Sequence, residues 1–288
     1  MVERLPSFLV IGAVKAATTW ISHQLRCHPE LWLPDAEPHF FSDDYERGLD
    51  HYRSLFAPAP TGRRIGEKSA DYLAHPEAAA RIATVLPGVP MVVQLRDPVE
   101  RAYSDYCMLF RHGRVAGDPR RYLEKRDPAG ARFLDGGLYA QHLARFHAHH
   151  ARDRIAVFLH EDVIERPEHV IARVCEHIGV APHIEPAAVA SRRNDGAAAM
   201  LPLPVRRVLR PMRPLLDPLR SNPLLARLRG KMARPVRYPP LTVELRALLR
   251  DYYRDDVLQL ETMIGRDLSR WRTGAAAGAN DDRVTAAS

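Results

Sequence analysis

The sequence predicts an α/β fold: one domain on a central, mainly parallel sheet flanked by helices. Three observations carry this. Phe8–Ile11, Met91–Leu95 and Arg154–Leu159 are short apolar runs of strand length. Helical periodicity follows each of them, over Thr18–Cys27, from Pro98 to about Phe110, and over Pro167–Ile178. Strand and helix therefore alternate, as parallel neighbours require, because each return to the same edge needs a crossover.

In chain order, Phe8–Ile11 is the first buried strand and Gly12 ends it. Thr18–Cys27 is the first helix, with Ile21 and Leu25 four residues apart. Pro29 and Pro34 bracket a short piece around Leu31–Leu33, and Leu49–Phe56 reads as a short helix. Arg64–Ser69 is a strand end or a loop. Pro76–Leu86 is alanine-rich and opens on proline at the first helical position. Met91–Leu95 is the second clear strand, stopped by Arg96-Asp97-Pro98 before a helix. Gly113–Gly117 breaks the pattern, and Gly137–Ala151 resumes it. Arg154–Leu159 is the third clear strand, and Gly179 closes the helix Pro167–Ile178. Leu241–Ile264 is a long helix whose apolar positions are Leu245, Leu248, Leu249, Tyr252, Val257, Leu260 and Ile264, with Gly265 as its C-cap. One domain, 1–272, is expected, with a Pro-, Leu- and Arg-rich region at 197–240 and a disordered small-residue tail at 273–288.

The chain has 288 residues, and its charged and apolar fractions are those of a globular protein. Its net charge of +7 is local: Arg206–Arg237 holds nine arginines and Lys231 against Asp217 alone, leaving the remainder slightly negative. That argues against a general nucleic-acid surface. No run is long enough to span a bilayer, and the N-terminus shows no apolar signal core. Cys27, Cys107 and Cys175 have neither metal-ligand nor disulfide spacing. They read as small buried hydrophobes in a reducing, cytoplasmic setting. His142, His147, His149 and His150 are irregularly spaced and read as a solvated helix end, so no metal is expected.

Two segments carry chemistry. In the first, Gly12, Lys15, Thr18 and Thr19 form G-x-x-K-x-x-T-T between a strand and a helix. Unpaired helix N–H groups and the positive end of the dipole make such a turn an anion cradle. It is P-loop-like in physics, but it lacks the G-K-[ST] of a Walker A loop. The bland alternative is a turn capped by threonine. In the second, Leu95–Ser104 (LRDPVERAYS) puts Arg96 at the C-terminal edge of a strand, where ligands of open parallel sheets bind. Arg96 and Ser104 could share a second phosphate, or Arg96 could simply pair with Asp97 or Glu100.

Together these segments resemble the sulfotransferase superfamily that uses 3′-phosphoadenosine 5′-phosphosulfate (PAPS), in particular its bacterial and heparan-sulfate-acting branch. The resemblance runs through Glu37-Pro38-His39-Phe40-Phe41, Gly66-Glu67-Lys68-Ser69, LRDPVERAYSDY and Arg237-Tyr238-Pro239-Pro240, from about Ser7 to Trp271. It implies that Lys15, Thr18, Thr19 and the amides of Gly12, Ala13, Ala16 and Ala17 hold the 5′-phosphosulfate. Arg96 and Ser104 would hold the 3′-phosphate, joined by the loop of Gly230 and Lys231, and Arg237 and Tyr238 would also belong to the cofactor-binding set. Trp20 would stack on adenine or else belong to the first helix's core. Glu37 would be the general base, His39 an acceptor contact or second proton acceptor, and Lys68 would lie near the transferring group. The implied reaction moves a sulfuryl group to a hydroxyl or amine of a carbohydrate or glycosylated small molecule, without metal or nucleic acid.

Two departures stand out. Ala17 occupies a position where the family pattern has glycine, and Asp35-Ala36 lacks the lysine that often precedes the glutamate. The competing functions are a P-loop-type kinase and a basic protein whose 206–237 stretch lies on an anionic membrane or polymer.

Overall fold

A computed structural model describes residues 5–186 and 235–274. Gly230, Lys231, most of the 197–240 region and the tail beyond 274 lie outside the described residues. Five parallel strands form one sheet in the order β2-β3-β1-β4-β5. They are β1 (Phe8–Gly12), β2 (Leu31–Trp32), β3 (Arg64–Lys68), β4 (Met91–Leu95) and β5 (Ile155–Leu159). The expected class is therefore observed, and Arg64–Lys68 is a full strand beside β1, with Val10 opposite both Lys68 and Val92. From β1 the chain moves out to β2 and β3 on one side, then returns to place β4 and β5 on the other. A crevice outside the carboxyl ends of β1, β3 and β4 is the consequence, and such switch points are where open α/β sheets bind ligands.

The helices are α1 (Thr18–Cys27), α2 (Gly48–Ser54), α3 (Ala78–Val85), α4 (Pro98–Arg111), α5 (Arg120–Leu123), α6 (Ala131–Asp135), α7 (Tyr139–His147), α8 (His160–Glu165), α9 (Pro167–Ile178), α10 (Val243–Ile264) and α11 (Ser269–Thr273). Among the described residues none is long and apolar enough to cross a membrane. Alternation along β1 sends Leu9 and Ile11 to one face, under α3, α4, α7 and α10, while Phe8 and Val10 go to the other, under α1 and α9. Both faces of the sheet are thus dry.

Several expectations need correcting. Helix α3 starts at Ala78 with Glu77 at its N-cap, so Pro76 is not the first helical residue. On α10 the buried line is Leu245, Leu249, Tyr253, Val257 and Leu260, while Leu248 is 39% exposed. Tyr253 replaces Tyr252 because its hydroxyl donates to the Leu134 carbonyl at 2.8 Å. The histidines are not all solvated. His142 is buried against the Asp135 carbonyl at 2.7 Å and His150 against the Ala79 carbonyl at 2.9 Å. Burial pushes the His142 imidazole down to about 4, with Arg145 reinforcing it. All three cysteines are free, but only Cys175 is buried.

Candidate active site

Four strand ends feed one cleft of about 820 Å³: Lys15 follows β1, Lys68 ends β3, Arg96 follows β4 and His160 follows β5. Lys15, Ala17, Thr18, Thr19, Glu37, His39, Lys68, Arg96, Ser104 and Tyr238 all line it. The structure therefore gathers segments separated by more than 200 residues in the chain.

The cradle end is built by backbone conformation. Lys15 and Ala17 are left-handed, at φ 69° and 64°. Ala17 turns the chain into α1, which begins with neither a side-chain cap nor an acidic residue in its first turn. Its leading N–H groups are thus left to whatever lies in the cleft. Burial lowers the pKa of Lys15; Asp105 opposes this, while Arg96 and Arg111 add to it. The Lys15 ammonium and the two guanidiniums thus share one field, which an anion would relieve. Gly12 is needed for close packing: a Cβ there would stand 2.5 Å from the Leu73 Cβ. Ala13 and Ala16 are buried beneath the loop.

The Arg96 end is built differently from the cradle. Asp97 caps α4, accepting from the amides of Val99 at 2.8 Å and Glu100 at 3.3 Å. That helix N-terminus is already satisfied, so side chains must do the recognition there. Glu100 pairs with Arg246, which disposes of Asp97 and Glu100 as partners for Arg96. Ser104, Cys107, Met108 and Arg111 present one face of α4 to the cleft. Burial drives the neighbouring His160 imidazole down to about 4, assisted by Arg96, so it is neutral. Its Nδ1 has no hydrogen-bond partner among the described residues.

On the β3 side of the cradle, across β1 from Arg96, lies the Glu37–Lys68 pair. The Lys68 ammonium, 7% exposed, bonds Glu37 Oε1, and Glu37 Oε2 accepts from the Ala70 amide at 3.0 Å. His39 Nδ1 meets Asp71 Oδ1 at 2.8 Å. Behind them Glu67 is wholly buried, accepting from the hydroxyls of Tyr52, Tyr72 and Ser69. Burial pushes its carboxyl up to about 7 in spite of those three donors. Phe40 stacks on Tyr52 at 4.2 Å, so the aromatic residues after His39 anchor the loop in the core. Glu37, His39 and Asp71 each bring a ligand atom within 4.8 Å of the others.

Two expected residues lie elsewhere. Trp20 does not line the cleft and packs against the apolar cluster under α9, which favours its core reading. Arg237 is exposed and outside the cleft lining, although its neighbour Tyr238 reaches the cleft, 6.2 Å from the Phe110 ring. Tyr103 holds this segment by donating to the Pro239 carbonyl at 2.9 Å. Sequence reasoning missed Asp43, Asp71, Arg111, His112, Arg132 and His160 in the lining. Two signals could have found some of them: the Ser104–Cys107–Arg111 helical spacing, and the place of His160 after a strand, equivalent to that of Arg96.

Comparison with known proteins agrees with the motifs. The model of the sulfotransferase family matches residues 47–184. Human heparan sulfate glucosamine 3-O-sulfotransferase 6 is 32% identical over 192 residues, which is 62% of this chain and 53% of that protein. Mouse bifunctional heparan sulfate N-deacetylase/N-sulfotransferase 3 is 27% identical over 303 residues, 93% of this chain and 31% of that protein. The chain thus spans about half or less of the length of the curated relatives it matches. The crystal structure of a sulfotransferase from Alicyclobacillus acidocaldarius shares the fold at a TM-score of 0.69, with 24% identity, 93% of this chain and 99% of that one covered. The resemblance to the sulfotransferase family is borne out.

Proposed function

We propose that this chain, similar in motif and fold to the sulfotransferases, moves a sulfuryl group from PAPS to a hydroxyl or amine of a carbohydrate or glycosylated small molecule. The observation that carries the reading is the two-ended cleft, with Lys15 and uncapped α1 at one end and Arg96 with Ser104 at the other. A donor with two separated phosphate groups fits that layout. The left-handed backbone at Lys15 and Ala17 shapes the loop, and the positive field of Lys15, Arg96 and Arg111, only partly offset by Asp105, is what such a donor would neutralise.

PAPS, when bound, supplies an activated sulfuryl group with a 5′-phosphate as leaving group. The residues of this chain do the rest. Lys15, Thr18, Thr19 and the α1 amides hold the 5′ end and stabilise charge that builds on the leaving phosphate. Arg96 and Ser104 hold the 3′-phosphate through charge-assisted bonds. Lys68, fixed by Glu37, adds positive charge beside the transferring group. The acceptor's proton goes to the Glu37–His39 wall, Glu37 being the base that the family resemblance implies. We assign this work to a single domain, 1–272, and the three free cysteines fit a reducing, cytoplasmic setting.

Calorimetry tests the donor assignment. Adenosine 3′,5′-bisphosphate should bind in the micromolar range or tighter without added metal, and ATP with magnesium should bind more weakly. Tighter binding of magnesium ATP would favour the kinase reading instead.

A further inference from the structure

We propose that Glu67 is a positioning residue for the proposed transfer: through the hydroxyls of Ser69 and Tyr72 it fixes the backbone of residues 39–41, and so sets where Glu37, the base, meets the acceptor. The inference rests on the sulfotransferase reading above and deepens it.

On β3, Glu67 stands opposite Leu9 of β1, so both side chains enter the same layer of the core. Lys68, one residue on, lines the cleft. The strand thus puts an acid behind the site and a lysine in it. A carboxylate without partners is costly in such a place, but Glu67 has three. Oε1 accepts from the Ser69 hydroxyl at 3.0 Å and from the Tyr72 hydroxyl, and Oε2 accepts from the Tyr52 hydroxyl.

Each of these three side chains also holds one residue of the loop after Glu37. Ser69 Oγ accepts from the His39 amide at 3.0 Å. The Tyr52 ring stacks on Phe40, with centroids 4.2 Å apart. The Tyr72 hydroxyl accepts from the Phe41 amide at 3.2 Å. Three consecutive residues therefore answer to one carboxylate.

The charge of that carboxylate gives the relay its direction. A hydroxyl has one hydrogen, and an ionised carboxylate can only accept. Glu67 thus claims the hydrogens of Ser69 and Tyr72 and leaves their lone pairs to the loop amides. Burial pushes its carboxyl up to about 7, so at pH 8 it is ionised. A group that donated would turn at least one hydroxyl around and leave an amide without its acceptor. The hold falls where the backbone needs it. His39 has φ 52°, a conformation that persists in such a residue only when its surroundings enforce it. Glu37 lies two residues earlier, with Pro38 stiffening the connection. A shift at His39 therefore reaches the Glu37 carboxylate.

Two readouts test this, both at pH 8 and at a temperature where circular dichroism shows parent and variants folded. Nitrogen–proton spectra of the backbone amides need no turnover. The His39 amide should move in Ser69→Ala, the Phe41 amide in Tyr72→Phe, and both together in Glu67→Gln. In kinetics, with PAPS and the glycan that the parent sulfates fastest, Glu67→Gln should lower kcat about 10- to 100-fold. Its affinity for adenosine 3′,5′-bisphosphate should stay within about threefold, because the cradle is untouched. Ser69→Ala and Tyr72→Phe, each cutting one link, should each lose on the order of 10-fold, and they carry the test if Glu67→Gln does not fold. Tyr52→Phe removes a bond to the same carboxylate but no amide link. It should lower Tm as Tyr72→Phe does and keep kcat within about threefold. Equal kcat losses for these two variants would place the effect in the burial of the carboxylate and overturn the relay. Parental kcat in Glu67→Gln, or His39 and Phe41 amides that do not move, also overturns the assignment. Absence of sulfotransfer by the parent protein would strike the function, while the amide shifts would still show whether Glu67 fixes the loop.

Discussion

Replacing Ala17 by glycine should stabilise the protein. The residue sits at φ 64°, ψ 23°, at the N-cap of α1. A left-handed conformation costs an L residue about 1–2 kcal/mol, because its Cβ crowds the following carbonyl. Glycine removes that cost but gives the unfolded chain more freedom, which returns about 0.5–1 kcal/mol. The expected net gain is therefore about 0.5–1 kcal/mol, or a rise in Tm of about 2 °C for a chain this long. Urea unfolding should show a higher midpoint at unchanged slope, since nothing else about the folded surface changes. Affinity for adenosine 3′,5′-bisphosphate should stay within about threefold, because the N–H groups of α1 point as before. The reasoning also requires the opposite sign for Ala17→Val, whose β-branch tolerates this backbone still less. A variant Ala17→Gly that unfolds at or below the parental midpoint would refute it, because the turn would then not demand a left-handed residue.

Gly12→Ala should destabilise by about 1–3 kcal/mol, since the added Cβ would stand 2.5 Å from the Leu73 Cβ, which is no flexible chain end; unfolding by denaturant measures it. Arg96→Ala should weaken adenosine 3′,5′-bisphosphate about 10- to 100-fold while barely changing adenosine 5′-phosphate, the loss expected for one charge-assisted contact; equal losses for both ligands would move Arg96 away from the 3′ end. Glu67→Gln should change how stability depends on pH. With its carboxyl raised from 4.5 to about 7 by burial, the folded parent binds more protons than the unfolded chain in that window. Parental stability should therefore fall as pH rises from about 4.5 through 7, by about 3 kcal/mol if the whole shift is realised, and the glutamine variant should lack this slope. Parallel pH curves for the two proteins would contradict the shift.

Much of the fold was legible because its signals are local. The runs at Phe8, Met91 and Ile155 are uniformly apolar, as strands buried on both faces must be. Arg64–Lys68 was ambiguous because three of its five residues are charged. Only the structure shows where these go: Glu67 into a cage of hydroxyls and Lys68 onto Glu37. Tyr253 and Tyr252 could not be told apart by helical spacing, since a carbonyl on a different helix decided which one is buried. The same limit applies to the site. Lys15, Arg96 and Ser104 lie next to strand ends or on the helix that follows one, so their clustering follows from parallel topology. Asp71 is different: nothing in its neighbours distinguishes it from a surface acid, and its meaning comes from His39, 32 residues away in sequence. The α4 N-terminus shows how sequence likeness can mislead. It repeats the strand–turn–helix pattern of the cradle, yet Asp97 closes it to anions and leaves recognition to side chains.

The central claim is sulfuryl transfer from PAPS by this two-ended cleft, and the most direct test is a transfer assay. The purified chain would be incubated with PAPS and a panel of glycans, phenols and amines, with adenosine 3′,5′-bisphosphate release and acceptor mass followed together. The account predicts release coupled one-to-one to a sulfated product, favouring glycan acceptors and lost on Lys15→Ala. Tight binding of neither PAPS nor adenosine 3′,5′-bisphosphate, with no product from any acceptor, would contradict it.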